Sequence, residues 1–147
     1  IQAEQKGLYL HFDRDGDVPQ FVMADGTRLR QVLWNLVGNA VHHAPAGSAI
    51  EVRLDQAGFA IRNQAPGLTP DDLPRLLERF WRKDTARTGY GHAGLGLSLA
   101  HSLAGLLGWT LTPSLPEPGV LDMRLGMAGP DAGSGRASGV EGVGEGA

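Results

Sequence analysis

The chain has 147 residues, 41% apolar and 20% charged, enough for one domain with a substantial core. A net charge of −3 gives no electrostatic case for nucleic acid or a membrane surface, and no run approaches the roughly 20 apolar residues of a membrane span. Cysteine is absent, which excludes disulfides and thiolate metal sites and suits a reducing cytoplasm.

The chain opens at Ile1 rather than Met and shows no signal peptide, as a fragment or excised domain would. Gly7 to Phe12 and Gln20 to Met23 read as two short strands around the turn-rich Asp13-Arg-Asp-Gly-Asp17. Arg28 to Ala44 reads as one helix, capped by Asp25 or Thr27 and ended by Pro45 and Gly47. Its residues Leu29, Leu33, Leu36, Val37 and Ala40 form an apolar stripe that can bury. Ser48 to Leu54 alternates as a half-buried strand, and Gly58 to Asn63 is its hairpin partner across Gln56-Ala57-Gly58.

From Gln64 to Gly94 the backbone is interrupted by Pro66, Gly67, Pro70 and Pro74, then by Gly89, Gly91 and Gly94. Only one or two short helical turns fit between, within Asp71 to Trp81. So long a stretch with little regular structure is more often functional than accidental. Helical spacing resumes over Leu95 to Leu107, and Trp109 to Leu115 and Val120 to Met127 read as closing strands. Beyond them the sequence is Gly-rich and too poor in apolar residues to offset ordering entropy. Residues 1–127 are therefore expected to form the domain, and 128–147 a disordered tail.

Three signals carry chemistry. Asn35 and Asn39 stand about one helical turn apart, so both amides project from nearly the same face, suited to a divalent metal carrying phosphates. Asn63-Gln-Ala-Pro-Gly67 follows a strand. Gly94-Leu-Gly96-Leu97 opens a helix, where free backbone N–H groups and the helix dipole favour phosphate. Two have a plainer reading: helix-edge polar residues facing solvent for the asparagines, and a flexible loop followed by a helix for the glycine segment.

Taken together they resemble a known family. Asn35-Leu-Val-Gly-Asn39-Ala resembles the N box of the GHKL ATPase superfamily, in its sensor histidine kinase branch, and Asn63-Gln-Ala-Pro-Gly67-Leu68 its G1 box. Leu77-Glu-Arg-Phe80-Trp-Arg82 resembles the F box, and His92-Ala-Gly94-Leu95-Gly96-Leu97 the G2 box. The four stand in the family's order within Leu8 to Leu125. Phe80-Trp-Arg82 is characteristic of the kinase branch rather than of gyrase, mismatch-repair or chaperone ATPases.

The resemblance implies an α/β fold: a two-layer α/β sandwich (the Bergerat ATP-binding fold) with a mixed sheet, three main helices on one face and a mobile ATP lid. It implies ATP and Mg²⁺ as ligands, with Asn39 binding the metal through its side-chain oxygen and Asn35 contacting phosphate or metal-bound water. Gly67, Leu68, Gly94, Leu95, Gly96 and Leu97 fall within the two glycine boxes, and Phe80 against the base of the lid. Arg79, Arg82, Lys83 and Arg87 form a basic run in which Arg82 or Arg87 is the candidate for the γ-phosphate.

Several positions depart from the pattern. His42 and His43 replace the usual cation and aromatic residue, and His42 is a dependable phosphate ligand only when protonated. Adjacent helical positions diverge by about 100°, so the pair makes a poor zinc site. Asn63 replaces the Asp that accepts from the adenine amino group; its amide still accepts, without the charge assistance worth about 1–2 kcal/mol. Ala65 and His92 stand where glycines are usual.

None of the five histidines lies in the phosphoacceptor context of sensor kinases, and an amide at position 35 cannot serve as the base that related self-contained ATPases carry there. The resemblance thus implies the catalytic domain of a sensor kinase. It would transfer the ATP γ-phosphoryl to a histidine on a helical dimerisation domain absent from this chain, with a cognate response regulator downstream. Neither nucleic acid nor direct membrane contact is expected, and the setting would be the cytoplasmic part of a membrane-anchored sensor. Two alternatives remain: a degenerate nucleotide-binding module without kinase activity, and an anti-sigma-factor-type serine kinase, against which Phe80-Trp-Arg82 speaks.

Overall fold

Apolar residues recur at every second position in Ile50-Glu-Val52, Phe59-Ala-Ile61 and Leu121-Asp-Met123-Arg-Leu125, a period that puts them on one face of a pleated strand. In the computed structural model, which describes residues 2–18, 24–83 and 95–127, these segments form the middle of a five-stranded sheet. The strands are β1 (Tyr9–Arg14), β2 (Ala49–Asp55), β3 (Gly58–Gln64), β4 (Thr110–Glu117) and β5 (Val120–Gly126). Their order is β1-β2-β3-β5-β4, with β1 parallel to β2 and every other pair antiparallel. The sheet is mixed, as expected.

Helices α2 (Gly26–His43) and α3 (Gly96–Leu106) pack on each other and on one face of the sheet. Val32, Leu36 and Ala40 of α2 and Leu97, Ala100 and Ala104 of α3 join Ile50, Val52, Ile61, Met123 and Leu125 in a single core. Asp25, rather than Thr27, caps α2, accepting from the backbone N–H groups of Thr27 at 3.0 Å and Arg28 at 3.2 Å. The outer sheet face is polar, with the spaced ion pairs Arg62–Asp122 at 3.7 Å and Arg53–Asp13 at 3.8 Å. At such distances, and with Arg53 and Asp13 exposed, these pairs add little stability.

The structure differs from the sequence expectation at the first strand and just before it. The first strand is Tyr9–Arg14 rather than Gly7 to Phe12, because its parallel ladder with β2 continues to Arg14 opposite Leu54. A short helix α1 (Gln2–Gln5) precedes it. The expected turns within Asp71 to Trp81 are a 3₁₀ helix over Pro70–Arg75, where Pro74 lacks the N–H that a continuing α-helix needs. The expected strand Gln20 to Met23 and the tail 128–147 both lie wholly outside the described residues.

The β2–β3 hairpin closes on Asp55. Its Oδ1 accepts from the N–H groups of Ala57 at 2.8 Å and Gly58 at 3.1 Å, and Arg124 Nη2 donates to both carboxylate oxygens at 2.9 Å. Gly58 has φ 142°, and a Cβ there would collide with the Leu125 carbonyl oxygen. Only glycine lets β3 approach β5 so closely at this corner.

Candidate functional site

Asn35 and Asn39 each stand one position before a buried residue of α2, Leu36 and Ala40. They therefore share one flank of the helix, about 6 Å apart along its axis. Leu33 and Val37 stand one position after Val32 and Leu36 and occupy the other flank, with Leu29 and the exposed Trp34. A surface hollow lined by Leu29, Leu33, Trp34 and Val37 follows that other flank and holds none of the sequence-predicted site residues.

Asn63 belongs to the helix-facing side of the sheet. Its ladder partners are Ile50 on β2 and Leu121 on β5, both buried, and it is itself 2% exposed. Its Nδ2 donates to the backbone carbonyl of Gln64 at 2.9 Å. The chain then turns: Leu68 N donates to Ala65 O at 3.2 Å, with Pro66 second in the turn and Gly67 third at φ 88°. This is the geometry of a type II turn, whose third residue needs positive φ. Ala65, although it replaces a glycine of the family pattern, fits this turn and donates its N–H to Gly119 O at 2.8 Å. Leu68 beyond it packs against the core.

Among the described residues, two buried side-chain polar atoms have no hydrogen-bond partner: Asn63 Oδ1, an acceptor, and Asn35 Nδ2, a donor. The Asn35 oxygen receives only a loose 3.5 Å contact from Gln31 Nε2. Asn39 is half-buried. His42 is half-buried and His43 exposed, their rings edge to face at 4.8 Å.

The segment after the turn is anchored by Asp72. Its Oδ2 accepts from Thr69 N at 2.8 Å, Thr69 Oγ1 at 3.0 Å and Lys83 Nζ at 2.6 Å. The Lys83 ammonium, with the Thr69 N–H behind it, holds this carboxyl below its ordinary range. Phe80 is exposed and has φ 65°, an unusual backbone state for an aromatic residue, so it is not a core aromatic. Arg82 is half-buried.

Helix α3 starts at Gly96. Leu95 at its N-cap offers no side-chain acceptor, Ser98 Oγ donates back to Leu95 O at 3.0 Å, and Leu97 enters the core. Among the described residues no side chain caps the first-turn N–H groups of α3. Gly94, His92 and Arg87 lie outside the described residues.

Helix α2, which carries Asn35 and Asn39, is in contact with β3, which carries Asn63. Sequence reasoning missed the Gln64 carbonyl that orients Asn63; a main-chain acceptor leaves no residue-type signal.

Residues 24–128 match the profile of the family described as histidine kinase-, DNA gyrase B- and HSP90-like ATPases. The aerobic respiration control sensor protein ArcB of Escherichia coli K12 is 34% identical over 106 residues, covering 69% of this chain and 14% of ArcB. Sensor protein QseC of the same strain is 37% identical over 91 residues, covering 62% of this chain and 20% of QseC. The chain thus spans a fifth or less of either relative. The structure of full-length ShkA in complex with AMPPNP is similar at TM-score 0.68 and 27% identity, covering 85% of this chain and 26% of that one.

Proposed function

Because the chain belongs to the histidine kinase-, DNA gyrase B- and HSP90-like ATPase family and its relatives are sensor histidine kinases, we propose that it binds Mg·ATP and positions the γ-phosphoryl for transfer to a protein histidine. The observation that supports this most directly is the orphan pair. Buried polar atoms are nearly always satisfied, and each exception needs a reason. Here an acceptor on β3 and a donor on α2 are left open at the two boxes that read as nucleotide-binding.

Asn63 Oδ1 would accept from the exocyclic amino group of the base, and Asn35 Nδ2 would donate to a phosphate oxygen. Gly67 and Leu68 would shape the edge beside the base. Gly94, Leu95, Gly96 and Leu97 would present backbone N–H groups and the positive end of the α3 dipole to the phosphates. His42, His43 and Arg82 would serve as further polar contacts, and Phe80 would mark the base of the lid. Asn39 has an amide oxygen, the donor type that a hard cation takes, and would hold Mg²⁺. Bound Mg²⁺ would neutralise phosphate charge.

In the transfer, the bond from the γ-phosphorus to the bridging oxygen breaks, ADP leaves, and an imidazole nitrogen takes the phosphoryl group and gives up its proton. The chain's own part is positioning and charge stabilisation. The acceptor histidine, on a helical dimerisation domain, the response regulator and a cytoplasmic setting belong to the same reading. No described helix is long and apolar enough to cross a membrane.

Calorimetric titration with Mg²⁺ and a non-hydrolysable ATP analogue tests the proposal. Saturable binding at one site is expected. No heat at millimolar nucleotide would favour the degenerate-module alternative.

A further inference from the structure

We infer that two copies of this chain pair edge to edge along β1, antiparallel and about a two-fold axis at Phe12, so that their sheets run together as one. Such pairing is independent of the nucleotide-binding reading above.

The sheet has two edge strands, β1 and β4, and the sequence protects only one of them. An open edge offers a row of N–H and C=O groups to any other strand. β4 carries Pro113 and Pro116, which have no N–H, and its register with β5 shifts between Ser114 and Glu117. β1 has neither device. It contains no proline or lysine, its ladder with β2 runs unbroken from Tyr9 to Arg14, and all six of its residues are exposed. The Phe12 ring is the most open of them among the large apolar side chains, at 76%. Among the described residues β1 pairs with β2 alone.

Two hydrogen bonds show which groups face the open side. Tyr9 N donates to Ser48 O at 3.1 Å and Asp15 N to Leu54 O at 2.9 Å, so the odd-numbered residues turn their backbone groups towards β2. Those groups alternate along a strand, and the N–H and C=O of Leu10, Phe12 and Arg14 therefore point away from β2. Side chains alternate with the same period. Leu10 and Phe12, opposite Ile50 and Val52, are on the helix-facing side; His11 and Asp13, opposite Glu51 and Arg53, are on the outer side.

An antiparallel strand of the same sequence must set even residues opposite even ones, which leaves three central registers. An axis at His11 puts the two His11 rings face to face. An axis at Asp13 opposes two carboxylates, which repel. An axis at Phe12 sets His11 against Asp13 of the second copy twice over, pairs the two Phe12 rings and lays each Arg14 stem along Leu10. In that register Phe12 exchanges both backbone hydrogen bonds with its counterpart, and Leu10 does so with Arg14. Asp13 is open to the new contact, since Arg53 Nε stands 3.8 Å away. Charge complementarity thus selects one register and one occupant, a second copy of this chain.

The contact is small. The six residues of β1 span about 20 Å, and Phe12 removes roughly 150 Å² per copy from water. A stable interface buries about 800 Å² per partner. Free copies therefore associate weakly, whereas two copies held on one dimeric protein meet at an effective concentration of order millimolar, where weak pairing is populated.

The chain has no cysteine, so single cysteines report the register. Phe12→Cys is expected to form a disulfide dimer on mild oxidation of concentrated protein. Directly opposed residues of a hydrogen-bonded pair stand about 5.5 Å apart at Cα, within the disulfide range of about 4.4–6.8 Å. His11→Cys and Asp13→Cys place their sulfurs on diagonal neighbours about 7–8 Å apart and should cross-link about tenfold more slowly or worse. An equimolar mixture of Leu10→Cys and Arg14→Cys should give mainly the mixed dimer. Sedimentation equilibrium of the cysteine-free chain should show weak association that His11→Glu reduces, by opposing it to Asp13. Phe12→Pro should abolish it while keeping the ladder with β2, which does not use the Phe12 N–H. Leu106→Ser, at an exposed apolar position on α3, should leave it unchanged. Equal cross-linking at positions 11, 12 and 13, preference for 11 or 13, or a chain wholly monomeric at about 1 mM would overturn the pairing. If the cysteine variants fail to fold, His11→Glu decides, and unchanged association in that variant overturns it. No nucleotide is present in these experiments, so their failure leaves the proposed function untouched.

Discussion

Lys6 closes the end of the helix that carries His42. Its ammonium donates to the His42 carbonyl oxygen and to that of Val41, each at 2.9 Å, while the Lys6 carbonyl accepts from Gly47 N at 2.9 Å. The last carbonyls of a helix lack intrahelical donors and sit at the negative end of its dipole, so a cation there serves both needs. Lys6→Met, which keeps the length of the side chain and removes the charge, is expected to lower stability by about 1–2 kcal/mol. Urea denaturation at neutral pH measures it, and an unchanged midpoint would remove Lys6 from the account of α2.

Asn39→Ala removes the proposed metal ligand from a half-buried position that the core does not depend on. Loss of Mg²⁺-dependent nucleotide binding is expected, with the circular dichroism spectrum and urea midpoint nearly unchanged. Unaltered affinity for Mg·ATP would overturn the assignment.

Position 35 bears an amide, which cannot take a proton from water. The isolated chain is expected to bind ATP and hydrolyse it far more slowly than about 1 s⁻¹, near the low end of typical enzyme turnover. A phosphate-release assay with the domain alone checks this, and turnover at or above that rate would contradict it.

Acid should loosen the segment between the Ala65–Leu68 turn and Lys83. The Asp72 carboxyl is held below its ordinary value of 3.8, first by Lys83 and then by Thr69. A depressed carboxyl contributes stability that is present above its unfolded value and lost as pH falls through its folded one. The advantage of wild type over Asp72→Asn should therefore be constant from neutrality to about pH 5 and shrink below it. Asp55, lowered first by its hydrogen bond to Arg124, gives a separate acid loss at the β2–β3 corner that is common to both proteins and cancels between them. Urea midpoints of both proteins across that range test the sign; an advantage that grows in acid would refute it.

Gly58→Ala should be among the most damaging single-methyl changes in the chain. The added Cβ meets the Leu125 carbonyl, and a backbone oxygen between paired strands cannot step aside as a side-chain tip can. A loss of about 3 kcal/mol or more, or failure to fold, is expected. A thermal midpoint close to that of wild type would show that the corner can open.

Much of this architecture was legible because apolar periodicity and turn residues agree in β2, β3 and β5, and because Asp25 and Pro45 bracket α2. Position along β1 was less so: Asp13 and Arg14 are polar, and only pairing with β2 draws them into the strand. The 3₁₀ character of Pro70–Arg75 rests on Pro74, which a helical pattern alone does not weigh. At the site, the common flank of Asn35 and Asn39 follows from helix geometry, whereas the orientation of Asn63 does not. Its partner is a main-chain oxygen, and identical side chains on a differently turned strand would read the same. The reach of Lys6 to Val41 and His42 escaped for a related reason, since nothing in a lysine names the distant carbonyls it will meet.

The bond from Ala65 N to Gly119 O has a consequence for which lengths of chain are free to vary. Gly119 belongs to the turn between β4 and β5, remote in sequence from the asparagines and easily taken for a dispensable surface bend. Its carbonyl is nevertheless the fixed post to which the exit of β3 is tied. Insertions or deletions in that bend would displace the post and tilt the turn that follows Asn63. Among chains of this architecture, the β4–β5 bend should keep its length wherever the edge beside Asn63 is in use.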